Sequence, residues 1–251
     1  MSTEQQLHHG APVHSKLRHK IRRFLRSDLG AAPTPYDWNT PLDVPIYNIK
    51  NQFQSESCWG QAFSRAMQII LGSEELSAKS AYSTIYEQGG GVNLWVGEKE
   101  ARYFGITTEL KVPSYHNGTT DEPFMTDIKW QTDANLKDCF TRMGYKAVNV
   151  PMDIDSIAQA IATNKAVLFL IHGSNNGTWL SPIPQPPKAG DNIWGHYVTS
   201  CKPMLINGKK MIRFYQSWGS QVGENGFQYL SEEYVNSGYV LDAVTFIKVK
   251  K

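Results

Sequence analysis

The sequence predicts an α+β fold in two lobes, on three observations. Apolar residues recur at helical spacing as far as Phe104, strand-like runs dominate from Tyr145 onward, and the two kinds of segment are grouped rather than interleaved. A chain of 251 residues with 41% hydrophobic and 12% aromatic side chains can bury a substantial core.

The elements follow in order. Residues 1–32 read as a basic extension, with six Lys/Arg against Glu4 and Asp28, while the remainder carries 19 basic and 21 acidic residues. Within His14 to Arg26, Leu17, Ile21, Phe24 and Leu25 form an apolar stripe among cations. Such a stripe suits a protein partner, an anionic surface or the chain's own body; a solvated tail is the alternative. Ala31 to Pro35 is a linker by composition, so the folded domain is expected over 33–251.

From Cys58 to Leu71, Trp59, Phe63, Ala66 and Ile70 fall at steps of four, three and four, the period of a half-buried helix, with Ser57 as its N-cap and Gly72 as its stop. Helices are expected over Ser77–Glu87, Glu98–Phe104 and Leu136–Met143, the last carrying Cys139 into the core. Gly89-Gly90-Gly91 is a loop, and 112–133 a long connection. The helical lobe is placed at about 43–115, the β-rich lobe at 116–251 plus 33–42. In the second half Ala147–Val150 and Ala166–Ile171 read as strands flanking a helix over Ser156–Ala162 capped by Asp155. After a proline-rich loop over 175–192 come strands at Tyr197–Cys201, Met211–Tyr215, Phe227–Leu230 and Ala243–Val249, with a turn at Asn207-Gly208.

Composition excludes several classes. The longest clean apolar run, Ala166 to Ile171, is far short of the roughly 20 residues a membrane-spanning helix needs, and no secretory signal pattern opens the chain. Three cysteines make no disulfide framework, so cytoplasmic or otherwise reducing surroundings are expected; incorporation into a larger assembly stays open. No histidines are spaced as metal ligands with a cysteine, no nucleic-acid motif accompanies the basic stretch, and no cofactor is expected.

Cys58 draws the rest together. In the first turn of its helix, unpaired backbone N–H groups and the positive dipole end favour an anion, and a thiolate is one. Lys50-Asn51-Gln52, Ser57-Cys58-Trp59, Gly195-His196-Tyr197-Val198, Ser217-Trp218-Gly219 and Gly223-Glu224-Asn225-Gly226-Phe227 follow in that order, with His196 138 residues after the cysteine and Gln216 158 after it. This set resembles the papain-like cysteine peptidases, from Pro33 to Lys251. The resemblance implies a papain-like two-lobed fold, a helical N-terminal lobe and a β-rich, barrel-like C-terminal lobe with the cleft between them. It implies Cys58 as nucleophile, His196 as its proton partner, Gln216 as the orienting group and Gln52 as an oxyanion donor, with a peptide or protein substrate. It also places Gly90 and Gly91 along the substrate backbone, and has Trp218 shield the His196–Gln216 bond. Several residues depart from the family pattern. Gln216 stands for an asparagine, Glu56 for a glycine beside the thiol, Val222 for a tryptophan and Ser55 for a disulfide cysteine; Tyr197 replaces a small residue beside the pocket for the substrate's second side chain. The expected function is a cofactor-free thiol peptidase or amidase working through an acyl-cysteine. A papain-like module with a structural or binding role is the alternative.

Overall fold

The computed structural model describes residues 26, 28–29, 35–86, 91–92 and 94–249; Gly90 and the stripe over 14–25 lie outside them. Helix α1 (Cys58–Leu71) is its central element. Every residue from Cys58 to Ile69 is buried, so the apolar stripe is one side of a helix enclosed all round. Its polar side chains are therefore partnered. The Arg65 guanidinium lies over the rings of Tyr47 and Tyr215, at 5.2 and 4.9 Å, and donates to the Asn48 carbonyl and to Gln68. Gly72 ends the helix at φ 60, the left-handed turn its lack of a side chain allows. Ser57 does not cap by its side chain as expected; its hydroxyl is engaged by Ser55 at 2.6 Å and by Gln61 at 3.2 Å.

Helix α2 (Ala78–Ser83), capped by the Ser77 hydroxyl, packs on α1 through Gly60, where an added Cβ would stand 2.5 Å from the Ala78 carbonyl oxygen. Helix α3 (Leu94–Lys99) runs into a π-helical turn, Glu100–Phe104, ended by Gly105 at φ 75. The long connection contains α4 (Glu122–Thr126), and α5 (Asp133–Thr141) follows with Cys139 in the core.

The sheet comprises β1 (Tyr145–Asn149), β2 (Val167–Ser174), β3 (Ile193–Ile206), β4 (Lys209–Tyr215), β5 (Phe227–Ser231) and β6 (Val240–Lys248), in the order β1-β6-β2-β3-β4-β5 with every pair antiparallel. Two cores lie on its two faces. Leu168, Leu170, Tyr197 and Phe246 meet α1, whereas Val167, Phe169, Ile171 and Val198 meet α6 (Ile154–Asn164) and α7 (Glu232–Asn236). The stretch Val167–Ile171 of β2 is unbroken apolar because both faces of the strand are covered. Truncating Phe169, fully buried in the core toward α6 and α7, would cost about 3–5 kcal/mol.

The expected barrel-like closure does not occur. Strands β1 and β5 stand at opposite ends of an open sheet, and other segments cover them. The edge of β1 meets Asp28 and Leu29, with the Leu29 N–H donating to the Asn149 carbonyl at 2.9 Å; the edge of β5 meets the proline-rich loop, with the Tyr229 N–H on the Pro182 carbonyl at 2.8 Å. Edges satisfied in this way need not find each other. Helix α6 is capped by Asp153 rather than Asp155, which instead binds Lys210 and the Trp38 indole and so ties down the entry segment. The β3–β4 turn has Asn207 and Gly208 at φ 51 and 74, the hairpin geometry that Asn-Gly favours. Among the described residues no helix is long and apolar enough to cross a membrane.

Candidate active site

The loop before Cys58 is braced from both directions. The Gln52 N–H donates to the Ser217 carbonyl at 2.8 Å and the Gly219 N–H to the Lys50 carbonyl at 3.2 Å, which joins residues 50–52 to the loop that carries Gln216 and Trp218. Ser55 closes a tight turn, its N–H and hydroxyl both donating to the Gln52 carbonyl at 2.9 and 2.7 Å. Hydrogen bonds thus shape this turn. They also aim the buried Gln52 amide: its oxygen accepts from the Ser217 hydroxyl at 2.7 Å and its nitrogen donates to the Ser55 carbonyl at 2.9 Å. Cys58 is the first residue of α1, is enclosed, and has no acidic residue in its helical turn.

Helix α1 crosses β3. The Thr199 hydroxyl donates to the Ala62 carbonyl at 2.5 Å, and the Trp59 ring meets the Tyr197 ring edge-on at 5.2 Å, so the neighbour of Cys58 touches the neighbour of His196. His196 points to the other face of β3, where its Nε2 lies 2.6 Å from Gln216 Oε1. A relay sets which end of that amide faces the ring. Gln216 Nε2 donates to Gln228 Oε1 at 2.8 Å, and Gln228 Nε2 donates to the carbonyls of Trp179 and Ser181 at 2.8 and 2.7 Å. The Ser217 N–H also donates to Gln216 Oε1, at 3.0 Å. With carbonyls at its end, the relay can run one way only, and the acceptor end of Gln216 meets His196. With that acceptor facing it, the ring carries a proton on Nε2.

Trp218 stacks on the imidazole at 4.4 Å and 23°, and the rings of Trp194 and Trp179 meet Trp218 at 5.7 and 6.1 Å. Gly173 admits Trp194, whose ring would lie 2.2 Å from a Cβ there. This wall keeps water from the His196–Gln216 bond, which strengthens it.

The structure thus joins His196, Gln216 and Trp218 in one contact group, with Gln52 bridged to it through Ser217. Gly91 is buried at φ 68. The Glu56 N–H donates to Glu122 at 2.7 Å, and Tyr197 is buried against Trp59 rather than lining an open surface. Sequence reading missed Gln228, Trp179 and Trp194. The signal for Gln228 was an amide alternating with Phe227 and Tyr229 on a strand whose interior is apolar. Cys139 and Cys201 are poor nucleophile candidates: burial, with Glu100 nearby, pushes the Cys139 thiol up to about 12, and burial raises that of Cys201. Among the described residues no cluster of His, Cys, Asp and Glu could hold a metal ion.

Comparison with known proteins follows the same lines. Residues 32–246 match the papain family cysteine proteases. Of solved structures, xylellain, a cysteine protease from Xylella fastidiosa, superposes with a TM-score of 0.74 at 19% identity over 100% of this chain and 99% of its own. A structure from a study of the mite allergens Blo t 1 and Der p 1 gives 0.66 at 19%, covering 99% and 83%; bromelain from Ananas comosus with E64 gives 0.58 at 17%, covering 87% and 100%. At such identities these likenesses show the fold. No curated protein matches the chain. The family match spans most of the chain, and the chain belongs to the papain family of cysteine proteases.

Proposed function

We propose that Cys58, His196 and Gln216 form the catalytic set of a peptidase acting on peptide or protein substrates, with Gln52 as an oxyanion donor. The observation that carries this reading is the 2.6 Å His196–Gln216 contact beneath Trp218. The Cys58 thiolate attacks the scissile carbonyl carbon, and the negative oxygen that forms is met by the Gln52 amide and the Cys58 N–H. His196 delivers its Nδ1 proton to the leaving amine as the C–N bond breaks, giving an acyl-cysteine. Water then attacks that carbonyl, loses its proton to His196, and releases the acid and the thiolate. Gln216, one methylene longer than asparagine, still accepts from Nε2 and keeps the ring in the required tautomer. Serine at 55, in place of a disulfide cysteine, supports action in a reducing compartment.

The test is turnover of a peptide library by the full chain and by Cys58→Ala. Turnover is expected to vanish in the variant, and iodoacetamide is expected to alkylate Cys58 at pH 6 faster than a model thiol. Cleavage that survives Cys58→Ala would end the thiol mechanism; an inert Cys58 together with no cleavage would favour a binding module.

A further inference from the structure

Besides its bonds to Ser217 and Gly219, the loop that leads to Cys58 has a second set of partners, all from the long connection over 112–133. The Asn51 N–H donates to the Tyr115 hydroxyl at 3.1 Å, and the Tyr115 ring meets Phe53 edge-on at 6.3 Å. Gln54 forms a parallel bridge with Asp121, and the Glu56 N–H donates to Glu122 Oε2 at 2.7 Å. Residues 51–56 thus run alongside 115–122. The loop needs such support, because Phe53 is held at φ 44, a left-handed conformation that disfavours a bulky side chain. Asn51 Oδ1 accepts from the Phe53 N–H at 2.9 Å, but a strained turn persists only where its surroundings fix it.

Glu122 is itself fixed from two directions. Its other oxygen, Oε1, accepts from the hydroxyl of Tyr82 on α2 at 2.5 Å, so one carboxylate ties α2 to the loop with an oxygen for each. Tyr82 is fully buried, and burial, then the bond to Glu122, push its hydroxyl well above the ordinary tyrosine value, so it stays protonated and donates. Charges on Cys58 and Glu56 act on that hydroxyl in the same direction, which places the thiol within electrostatic reach of the bridge. Glu122 also opens α4, whose Met125 is fully buried and whose cap Asp121 accepts from the Phe124 N–H at 2.8 Å. The Lys79 ammonium of α2 lies 3.7 Å from the centre of the Phe124 ring, a second tie between the two helices.

We propose that Glu122 is a positioning residue for the thiol chemistry: by bridging Tyr82 and the Glu56 backbone, its carboxylate holds the strained turn before Cys58 so that the Gln52 amide and the Cys58 N–H converge on the oxyanion. This rests on the peptidase reading for its catalytic consequence, whereas the bridge itself shapes the loop whether or not Cys58 turns over. Donors aimed at an oxyanion act in the transition state rather than on the bound substrate, so the bridge governs kcat more than KM. A glutamine at 122 can serve in its place, its carbonyl taking the Glu56 N–H and its NH₂ meeting the Tyr82 oxygen once that hydroxyl turns from donor to acceptor. An alanine can do neither.

The experiment has two arms on the full chain, both at a temperature where circular dichroism shows every variant folded. In the first, peptide cleavage is measured for Glu122→Ala and Glu122→Gln. The alanine variant is expected to lose about tenfold or more in kcat with KM within about threefold, and the glutamine variant to recover most of that loss. An unchanged kcat, a loss confined to KM, or a glutamine variant no better than alanine overturns the proposal. The second arm, independent of turnover, follows hydrogen–deuterium exchange over residues 53–58 by mass spectrometry. Exchange is expected to be faster in Glu122→Ala and close to the parent chain in Glu122→Gln; exchange unchanged by Glu122→Ala overturns the bridge. If Glu122→Ala does not fold, Tyr82→Phe, which removes only the hydroxyl that holds Glu122, replaces it in both arms with the same outcomes in smaller degree. Cleavage with kcat and exchange both unchanged would end this proposal and leave the peptidase reading standing. The expected exchange in a chain that cleaves no peptide would end the peptidase reading and leave the bridge standing.

Discussion

His196 and Tyr197 are consecutive on β3 and face opposite ways into unlike surroundings. His196 is held by neutral groups: a glutamine, a second glutamine behind it, two backbone carbonyls and a tryptophan wall. Tyr197 borders a charged cluster in which Arg26 binds Asp242 and Glu98. A neutral relay orients a ring without adding a charge that would bias its titration, and losing one member costs orientation. An enclosed ion cluster is all-or-none, since removing one ion strands the other. A neutral hydrogen-bonded relay and an enclosed ion cluster are thus separated by one peptide unit.

Perturbing the charged side is expected to act mainly on stability, and with the largest effect. Asp242→Ala leaves Arg26 enclosed beside a single weaker partner and should lose about 3–5 kcal/mol in urea unfolding; the double change Arg26→Met with Asp242→Leu should recover most of that. Equal instability of the single and double variants would show that packing rather than charge holds this junction.

The neutral side is expected to respond in rate. Gln216→Ala should reduce kcat by an amount equivalent to about 1–3 kcal/mol, with a smaller effect on KM. Gln228→Leu, which removes the relay behind Gln216, should reduce kcat less and move the pH profile in the same direction as Gln216→Ala; a profile left in place would mean that Gln228 serves packing alone.

Two carboxylates outside the site sharpen the contrast through pH. Glu100 is fully buried, and burial, offset only in part by the nearby Trp59 indole, raises its pKa well above 4.5. A folded-state value above the unfolded one means a contribution complete below about pH 4.5 and lost as pH rises through the folded value. Glu100→Gln should therefore be the more stable form at pH 8, with the difference narrowing toward pH 5. Asp138 runs the other way. Burial acts to raise it, but hydrogen bonds from Lys111 and Thr107 and the charge of Arg142 outweigh that and hold it at about 2 against an ordinary 3.8. Its contribution is present at neutral pH and lost as pH falls from about 4 toward 2, and Asp138→Asn should flatten that acid limb by a small amount.

Local chemistry was enough for much of this protein. The α1 stripe, the glycine that ends it, the unbroken apolar stretch of β2 and the Asn-Gly hairpin each follow from period, handedness or burial within a few residues, so they could be read from the chain alone. The order and spacing of Cys58, His196 and Gln216 are likewise properties of the chain alone, and the structure adds the contact between His196 and Gln216. What tertiary structure decided are the matters of edges and of long-range partners. That the sheet stays open goes with Leu29 and the Pro182 loop occupying its two edges. The choice between Asp153 and Asp155 as a cap depended on Lys210, 55 residues away from Asp155. Gln228 and the three tryptophans around His196 come from separate segments, and Arg26 finds Asp242 across 216 residues of sequence. A hydrogen bond or ion pair of that span leaves no periodic trace, since either partner alone looks like an ordinary polar residue until folding removes it from water.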